Sequence, residues 1–416
     1  MSDQPTVSNR KYPLIPRVAN CVLGVSVRLG LKPTRVGMDE ILEDAKRATG
    51  LSDLGDESFK VGMQQVIENA DALGMTPLAH VLLRQTYLKA VAGRLQLQDH
   101  LKKHPEIGDI KVERPIFVVG FPRTGTTAMQ NLLSLHPGHR GLQFWELLTP
   151  IPASPDPVVD LKKRGRAARM TLAAANLVAP EQGEIHDVRW DSYEECWYLF
   201  CYSFAVLNWD IMTGLNSYGE WLLNSDMRGP YEEYKTWLKV LLHQHPVDNL
   251  LLKCPEHLWF MDALLDTFPD ACIVWCHRDP FDSVASYASL MSLTRRMIYG
   301  TFEPKELGAY IETRFLEGVT RAMEVRERRG DQNFYDVDFR RLHQDPEGVL
   351  RDVCAHFDLP LPANPHDAVV TWQEADRADK IGSHHYSPEM FGVDPDRVRA
   401  SFAKYIERFD ITLGKS

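Results

Sequence analysis

The most constraining stretch of this chain is IFVVGFPRTGTTAMQNLLSL, residues 116–135. Ile116, Phe117, Val118 and Val119 form an unbroken apolar run with no polar alternation. Such a run is the pattern of a strand covered on both faces, which requires a parallel sheet with helices on either side. Gly120 ends the run, and an amphipathic segment, Thr127 to Leu135, begins soon after it. A strand, a tight glycine turn and a helix N-terminus together make an anion site. The first helical N–H groups have no intrahelical acceptor, and the positive end of the helix dipole points the same way. Gly120 and Gly125 let the backbone approach a ligand closely, and Thr126 and Thr127 add hydroxyl donors.

The spacing from Gly120 to Gly125 fits the G-x-x-x-x-G of nucleoside triphosphate hydrolases, but Thr126 stands where those loops carry lysine. That lysine bridges the outer phosphates, and the following hydroxyl holds magnesium. Here the cation lies inside the loop, at Arg123. The turn is therefore suited to a phosphate or sulfate held without a triphosphate–magnesium arrangement.

A second candidate anion site follows another apolar run, Ala271 to Cys276. His277-Arg278-Asp279-Pro280 puts an arginine at a strand end, with Asp279 as N-cap and Pro280 as first helical residue. Ser286 lies eight residues beyond Arg278, about two turns into the helix, from where its hydroxyl can converge with the guanidinium. The competing reading pairs Arg278 with Asp279 or Asp282. Leu250–Leu252 and Phe334–Val337 read as further strands. Helical patterns lie at Tyr231–His243, Leu258–Thr267, Ser283–Leu293 and Leu307–Arg328, with a turn-rich loop from Asp376 to Asp396 before a final helix near Val398–Phe409. Strands alternating with helices predict an α/β fold with a parallel sheet. Residues 1–112 read as a helical N-terminal cap and 113–416 as the α/β core. An aromatic-rich insertion spans about 151–230.

Charge narrows the partners. The chain carries 47 Lys and Arg against 57 Asp and Glu, a net charge of -10, whose field opposes a nucleic-acid backbone. The seven cysteines are scattered and form no CxxC pair. They read as reduced core thiols of a cytoplasmic protein rather than zinc ligands or disulfides. The early apolar stretch carries Arg28 and is too short to span a bilayer; residues 14–31 suit either a membrane surface or the core.

Taken together, PRTGTT, Arg278 with Ser286, LLKCPEHLWFMDALLDTFPDACIVWCHRDP and HHYSPEMFGV resemble sulfotransferases that use 3'-phosphoadenosine 5'-phosphosulfate, in a bacterial branch with a long helical N-terminus. The resemblance covers roughly residues 113–410. It implies a fold like that of P-loop nucleotide hydrolases, a parallel sheet flanked by helices. It implies that Pro122, Arg123, Thr124, Gly125, Thr126 and Thr127 hold the 5'-phosphosulfate and that Arg278 and Ser286 hold the 3'-phosphate. Lys380-Ile381-Gly382 is the nearest match to a further Arg-Lys-Gly nucleotide contact. The product would be 3'-phosphoadenosine 5'-phosphate.

Sulfuryl transfer needs a nucleophile, a base and cations facing the leaving phosphate. The group carries less charge than a phosphoryl group, so protein cations such as Arg123 and Lys253 can serve without metal. Lys253 ends the run LLL and so faces the strand C-termini. Two bases compete. Glu146 lies in GLQFWELLTP, where Phe144, Trp145 and Leu147 would raise its pKa by desolvation, or it caps a helix. His257, in KCPEHLW, is the alternative. His384, His385 and Tyr386 sit in a loop able to close over the site. Trp190, Trp197, Tyr198, Tyr202, Phe204 and Trp209 either line an apolar acceptor pocket or fill the core. An acceptor of hydrophobic alcohol, phenol, sterol or lipid type follows from the first reading; an amine is a further option. A homodimer through the first half of the chain is an open expectation. The competing functions are a magnesium-dependent phosphotransferase on the same fold and a nucleotide-binding protein without turnover.

Overall fold

The computed structural model describes residues 13–29, 37–178, 188–379 and 387–414. Lys380, Gly382, His384, His385 and Tyr386 lie outside the described residues. The chain opens with helices α1 (Leu14–Arg28), α2 (Met38–Thr49), α3 (Phe59–Ala72) and α4 (Pro77–Lys103). The start of α4 is set as its sequence requires: the Thr76 side chain accepts from the Ala79 N–H and Pro77 takes the first helical position.

Strand β1 (Ile116–Val119) leads into α5 (Thr126–Leu133), then β2 (His139–Gly141), α6 (Phe144–Leu148) and α7 (Pro157–Val178). After several short helices come β3 (Asn249–Lys253), β4 (Cys272–His277) and β5 (Phe334–Asp338). The five strands lie in the order β2-β3-β1-β4-β5, and every described pairing is parallel. The expected α/β fold is thus observed, a single parallel sheet flanked by helices. The second strand was not anticipated, because His139-Arg140-Gly141 has no apolar run; as an edge strand of three residues it needs none.

The sheet is covered on both faces, as the continuous apolar strands require. Phe117, Val119, Leu252, Ile273 and Trp275 share one core with the buried faces of α2, α3 and α4 and with most of the aromatic-rich segment. Ile116, Val118, Leu251, Val274 and Cys276 turn the other way, onto α5 and the Pro346–Phe357 helix. Helices α2, α3 and α4 therefore share the hydrophobic core of the sheet. Near the C-terminus the expected loop begins later than the sequence suggests, since a helix runs from Pro365 to Asp379. The final helix is divided into Pro395–Ser401 and Ala403–Arg408. Its first half starts early because the Asp394 side chain accepts from the Arg397 N–H and Pro395 follows that cap.

Candidate active site

Parallel pairing brings the C-terminal ends of β1, β3 and β4 to one edge, and Gly120, Lys253 and Arg278 all emerge there, the edge where open α/β sheets take ligands. The loop from Gly120 to Gly125 is built for close approach. Gly120 has φ +146°, and a Cβ there would lie 2.6 Å from the Cys276 carbonyl oxygen. Gly125 caps α5 in the left-handed region. The buried Thr124 hydroxyl donates to the Phe121 carbonyl at 2.8 Å and braces the turn from within. Arg123 itself has φ +72°, a conformation that costs a residue with a Cβ about 1 kcal/mol or more. The loop holds it there with its side chain aimed across the edge.

That side chain reaches the second motif. Arg123 Nε donates to Ser286 Oγ at 3.3 Å, and Arg278 donates to the Arg123 carbonyl oxygen at 2.9 Å. Both candidate anion motifs therefore form one continuous surface. Asp279 caps the Pro280–Tyr299 helix through the Phe281 N–H, as its position before Pro280 implies. Arg278 also pairs with Asp282 at 3.1 Å and stacks over the Phe339 ring at 4.2 Å. The reading of Arg278 as a local ion pair is thus seen in its geometry, and the same guanidinium also meets the Arg123 loop. Ion pairing with Asp282 one helical turn away leaves the guanidinium positioned at the strand edge.

Lys253 is the last residue of β3 and only 1% exposed. Its ammonium donates to Thr127 Oγ1 at 3.2 Å, which ties it to the first turn of α5. A buried ammonium must be compensated, and the nearest carboxylate is one that sequence reasoning did not select. Glu195 Oε1 lies 3.6 Å from Lys253 Nζ, with the Glu195 side chain 23% exposed. The signal was present in SYEECWYLF, where two adjacent acids interrupt an otherwise apolar, aromatic run. Nothing local, however, shows that this run meets β3.

The two bases weighed from sequence have other surroundings. Glu146 is fully buried, and one carboxylate oxygen accepts from the Gln143 N–H at 3.0 Å in a reciprocal capping box. The other oxygen accepts from Arg140. Among the described contacts, none joins Glu146 to Lys253 or to the Arg123 loop. His257 is buried with Nε2 3.4 Å from Cys196 Sγ and Nδ1 2.7 Å from the Tyr231 hydroxyl. Aromatic rings of Phe117, Phe200, Tyr231 and Tyr234 surround it. Folding also gathers Cys196, Cys254 and His257 so that their ligating atoms lie within 4.8 Å of one another, although no sequence spacing pairs them.

Glu256, beside His257, is buried, and desolvation pushes its carboxyl up to about 8 against the opposing hydrogen bonds from the Asn208 and Leu207 N–H groups. It caps the Leu207–Thr213 helix from inside the core.

The aromatic side chains of this segment are placed in two ways. Trp197, Tyr198, Tyr202 and Trp209 line a cavity of about 450 Å³, together with apolar side chains of α4, α6 and α7. That volume is in the range of small-molecule sites. Phe204 is core, packed on Phe59 and Tyr87, and Trp190 stacks under Arg169. The cavity-lining Trp197 and Tyr198 lie two and three residues beyond Glu195 in the chain. The nearby Glu194 and Glu195 charges add to the burial that raises the Tyr198 hydroxyl well above its usual range.

Comparison with known proteins agrees with this architecture. Residues 115–363 match the sulfotransferase family. The omega-hydroxy-beta-dihydromenaquinone-9 sulfotransferase Stf3 of Mycobacterium bovis is 25% identical over 329 residues, covering 73% of this chain and 77% of that protein. The crystal structure of sulfotransferase STF9 from Mycobacterium avium superposes with a TM-score of 0.79 at 28% identity, over 92% of this chain and 99% of that one. Sulfotransferase STF1 from Mycobacterium tuberculosis gives the same TM-score and identity over 89% and 99%. The family match spans β1 to the helices after β5 and includes the whole sheet, so this chain belongs to the sulfotransferase family.

Proposed function

We propose that this protein transfers a sulfuryl group from 3'-phosphoadenosine 5'-phosphosulfate to a hydroxyl of an apolar, lipid-like acceptor. The observation that carries the reading is the contact of Arg123 with Ser286 and of Arg278 with the Arg123 carbonyl. It joins a loop suited to one anion to a pair suited to a second, as a nucleotide with phosphates at both 3' and 5' positions requires. The residues present suit such a donor: a helix N-terminus, two arginines, three hydroxyls and a buried lysine face the same edge. The donor supplies an activated sulfuryl group on a phosphate leaving group.

The chain's own residues then divide the work. Arg123 and the N–H groups at the start of α5 hold the 5' end, assisted by Thr126 and Thr127. Arg278 and Ser286 hold the 3'-phosphate. Lys253, anchored on Thr127, stabilises negative charge on the bridging oxygen as the S–O bond breaks. Glu195, 3.6 Å from Lys253, takes the proton of the acceptor hydroxyl as the acceptor oxygen bonds to sulfur. The cavity behind Trp197 and Tyr198 orients the acceptor. The Stf3 relative is named for a menaquinone derivative, an acceptor of the same apolar character.

The test is calorimetric titration with 3'-phosphoadenosine 5'-phosphate, with ATP–magnesium as comparator. The reading expects saturable binding of the bisphosphate, weakened at least about tenfold in Arg278→Ala, the loss of one charge-assisted contact. Preferential binding of ATP–magnesium would overturn it in favour of a phosphotransferase. Bisphosphate binding without turnover on any apolar alcohol would favour a nucleotide-binding protein.

A further inference from the structure

Helix α1 shows its apolar side to solvent. Leu14, Val18, Val22, Val25 and Leu29 are spaced i, i+4, i+8, i+11 and i+15, which places them within an arc of about 80° on one helix face. Leu14 is 70% exposed, Val22 61% and Leu29 75%. Single exposed apolar residues are ordinary, but a continuous stripe marks a contact surface. Over the first half of the helix, the opposite side is the one that packs. Pro16 is buried, and the Asn20 side chain accepts from the Leu78 N–H at 2.8 Å, fixing α1 on the start of α4.

We infer that this stripe seats the protein on an anionic lipid bilayer, at the mouth of its acceptor cavity. Charge points to the occupant. No Asp or Glu occurs between Leu14 and Arg28, while Arg17 and Arg28 lie together on one flank of the stripe, in a chain whose net charge is -10. A second copy docked face to face would set these arginines against their own kind. Anionic headgroups satisfy them while the stripe enters the acyl boundary, the arrangement of an interfacial amphipathic helix. Position points the same way. α1 packs on α4 and α7, and both helices line the 450 Å³ cavity through Leu82, Leu83, Leu172 and Ala175. Leu82 itself is partly exposed, and Leu177 and Met170 continue the apolar surface along α7. The stripe and the cavity are therefore carried by the same pair of helices, the arrangement that delivery of a lipid-like acceptor from a bilayer calls for.

The inference deepens the acceptor reading and rests on it for the cargo. Docking is measured separately, by flotation of the full chain with vesicles of phosphatidylcholine containing about a third phosphatidylglycerol, without donor or turnover. Flotation with anionic vesicles is expected, weaker with phosphatidylcholine alone and weaker at high salt. Val22→Asp with Val25→Asp should reduce it at least about tenfold, since each buried valine contributes more than that factor requires. Both side chains face outward, so bisphosphate binding should be unchanged. A dye sensitive to polarity on the exposed Cys21, which adjoins the stripe, should shift to the blue on the same vesicles. Equal flotation of parent and double variant, or none with either, overturns the inference. So does a double variant that only converts a dimer to a monomer in sedimentation. A chain that floats but sulfates nothing would defeat the functional proposal alone, and one that sulfates a soluble alcohol without floating would defeat this one alone.

Discussion

The charged edge of the sheet and the apolar cavity among the helices are built in opposite ways. The edge takes its groups from three short stretches, each fixed by the end of a strand: Arg123 with Thr127 after β1, Lys253 at the end of β3, Arg278 after β4. Each contact has a direction and a distance, and each group has a specific neighbour. The cavity takes its walls from α4, α6, α7, the 197–213 segment and Thr294 to Ile298, and supplies area rather than direction. The difference predicts two kinds of mutational response. Losses at the edge should be steep and should strike turnover. Losses in the cavity should be graded and should strike acceptor affinity.

The largest effect separates the two carboxylates. Glu195→Gln should lower kcat roughly a hundredfold or more, the size of a lost general base, with bisphosphate binding preserved. Glu146→Gln should keep turnover and instead cost about 1–3 kcal/mol in stability, because Arg140 loses its charged acceptor. Denaturant unfolding alongside single-turnover rates distinguishes them. The reverse pattern, with Glu146→Gln inactive and Glu195→Gln active, would move the base to Glu146 and make the 3.6 Å approach of Glu195 to Lys253 a structural ion pair. On the cavity side, Trp197→Ala should raise KM for an apolar acceptor roughly tenfold to a hundredfold, reflecting lost apolar burial. The indole stacks on Tyr198 at 4.0 Å between ring centroids and lines the cavity. An equal loss of donor affinity in this variant would erase the distinction between the two regions.

The same contrast explains what could be read from the sequence. The β1 turn and the β4 arginine were legible because each motif is contiguous: apolar strand, glycine or proline, then helix. Asp279 and Pro280 announce their helix start for the same local reason. Glu195 was hidden because its partner Lys253 is distant in sequence, and only packing of the aromatic segment against β3 brings them together. Cys196, Cys254 and His257 converge through that same packing, which no ligand spacing foretells. The outward turn of α1 was only half legible. Its apolar period is plain, but a helix period does not say whether the stripe faces core or solvent. That depends on Pro16 and Asn20, which take the inner side.

A last effect, seen in stability rather than in turnover, concerns the buried Glu256 of the aromatic core. The Glu256 carboxyl sits at about 8, held there chiefly by desolvation, while in the unfolded chain it titrates near the ordinary glutamate value of 4.5. Below both values the group is protonated in folded and unfolded chains and contributes no pH dependence. As pH rises from about 4.5 to 8 the unfolded chain releases this proton and the folded chain keeps it. Unfolding is therefore favoured progressively, by at most about 1.4 kcal/mol per pH unit. Glu256→Gln removes that slope while its amide oxygen still accepts from the Asn208 and Leu207 N–H groups. Its melting temperature should match the parent near pH 4.5 and exceed it by a few degrees at pH 8, with the gap widening across that window. A gap independent of pH would mean that Glu256 is already ionised in the folded protein at low pH. The aromatic core would then carry a fixed negative charge felt by Glu195, and base and cation at the edge would work against that field rather than beside a neutral core.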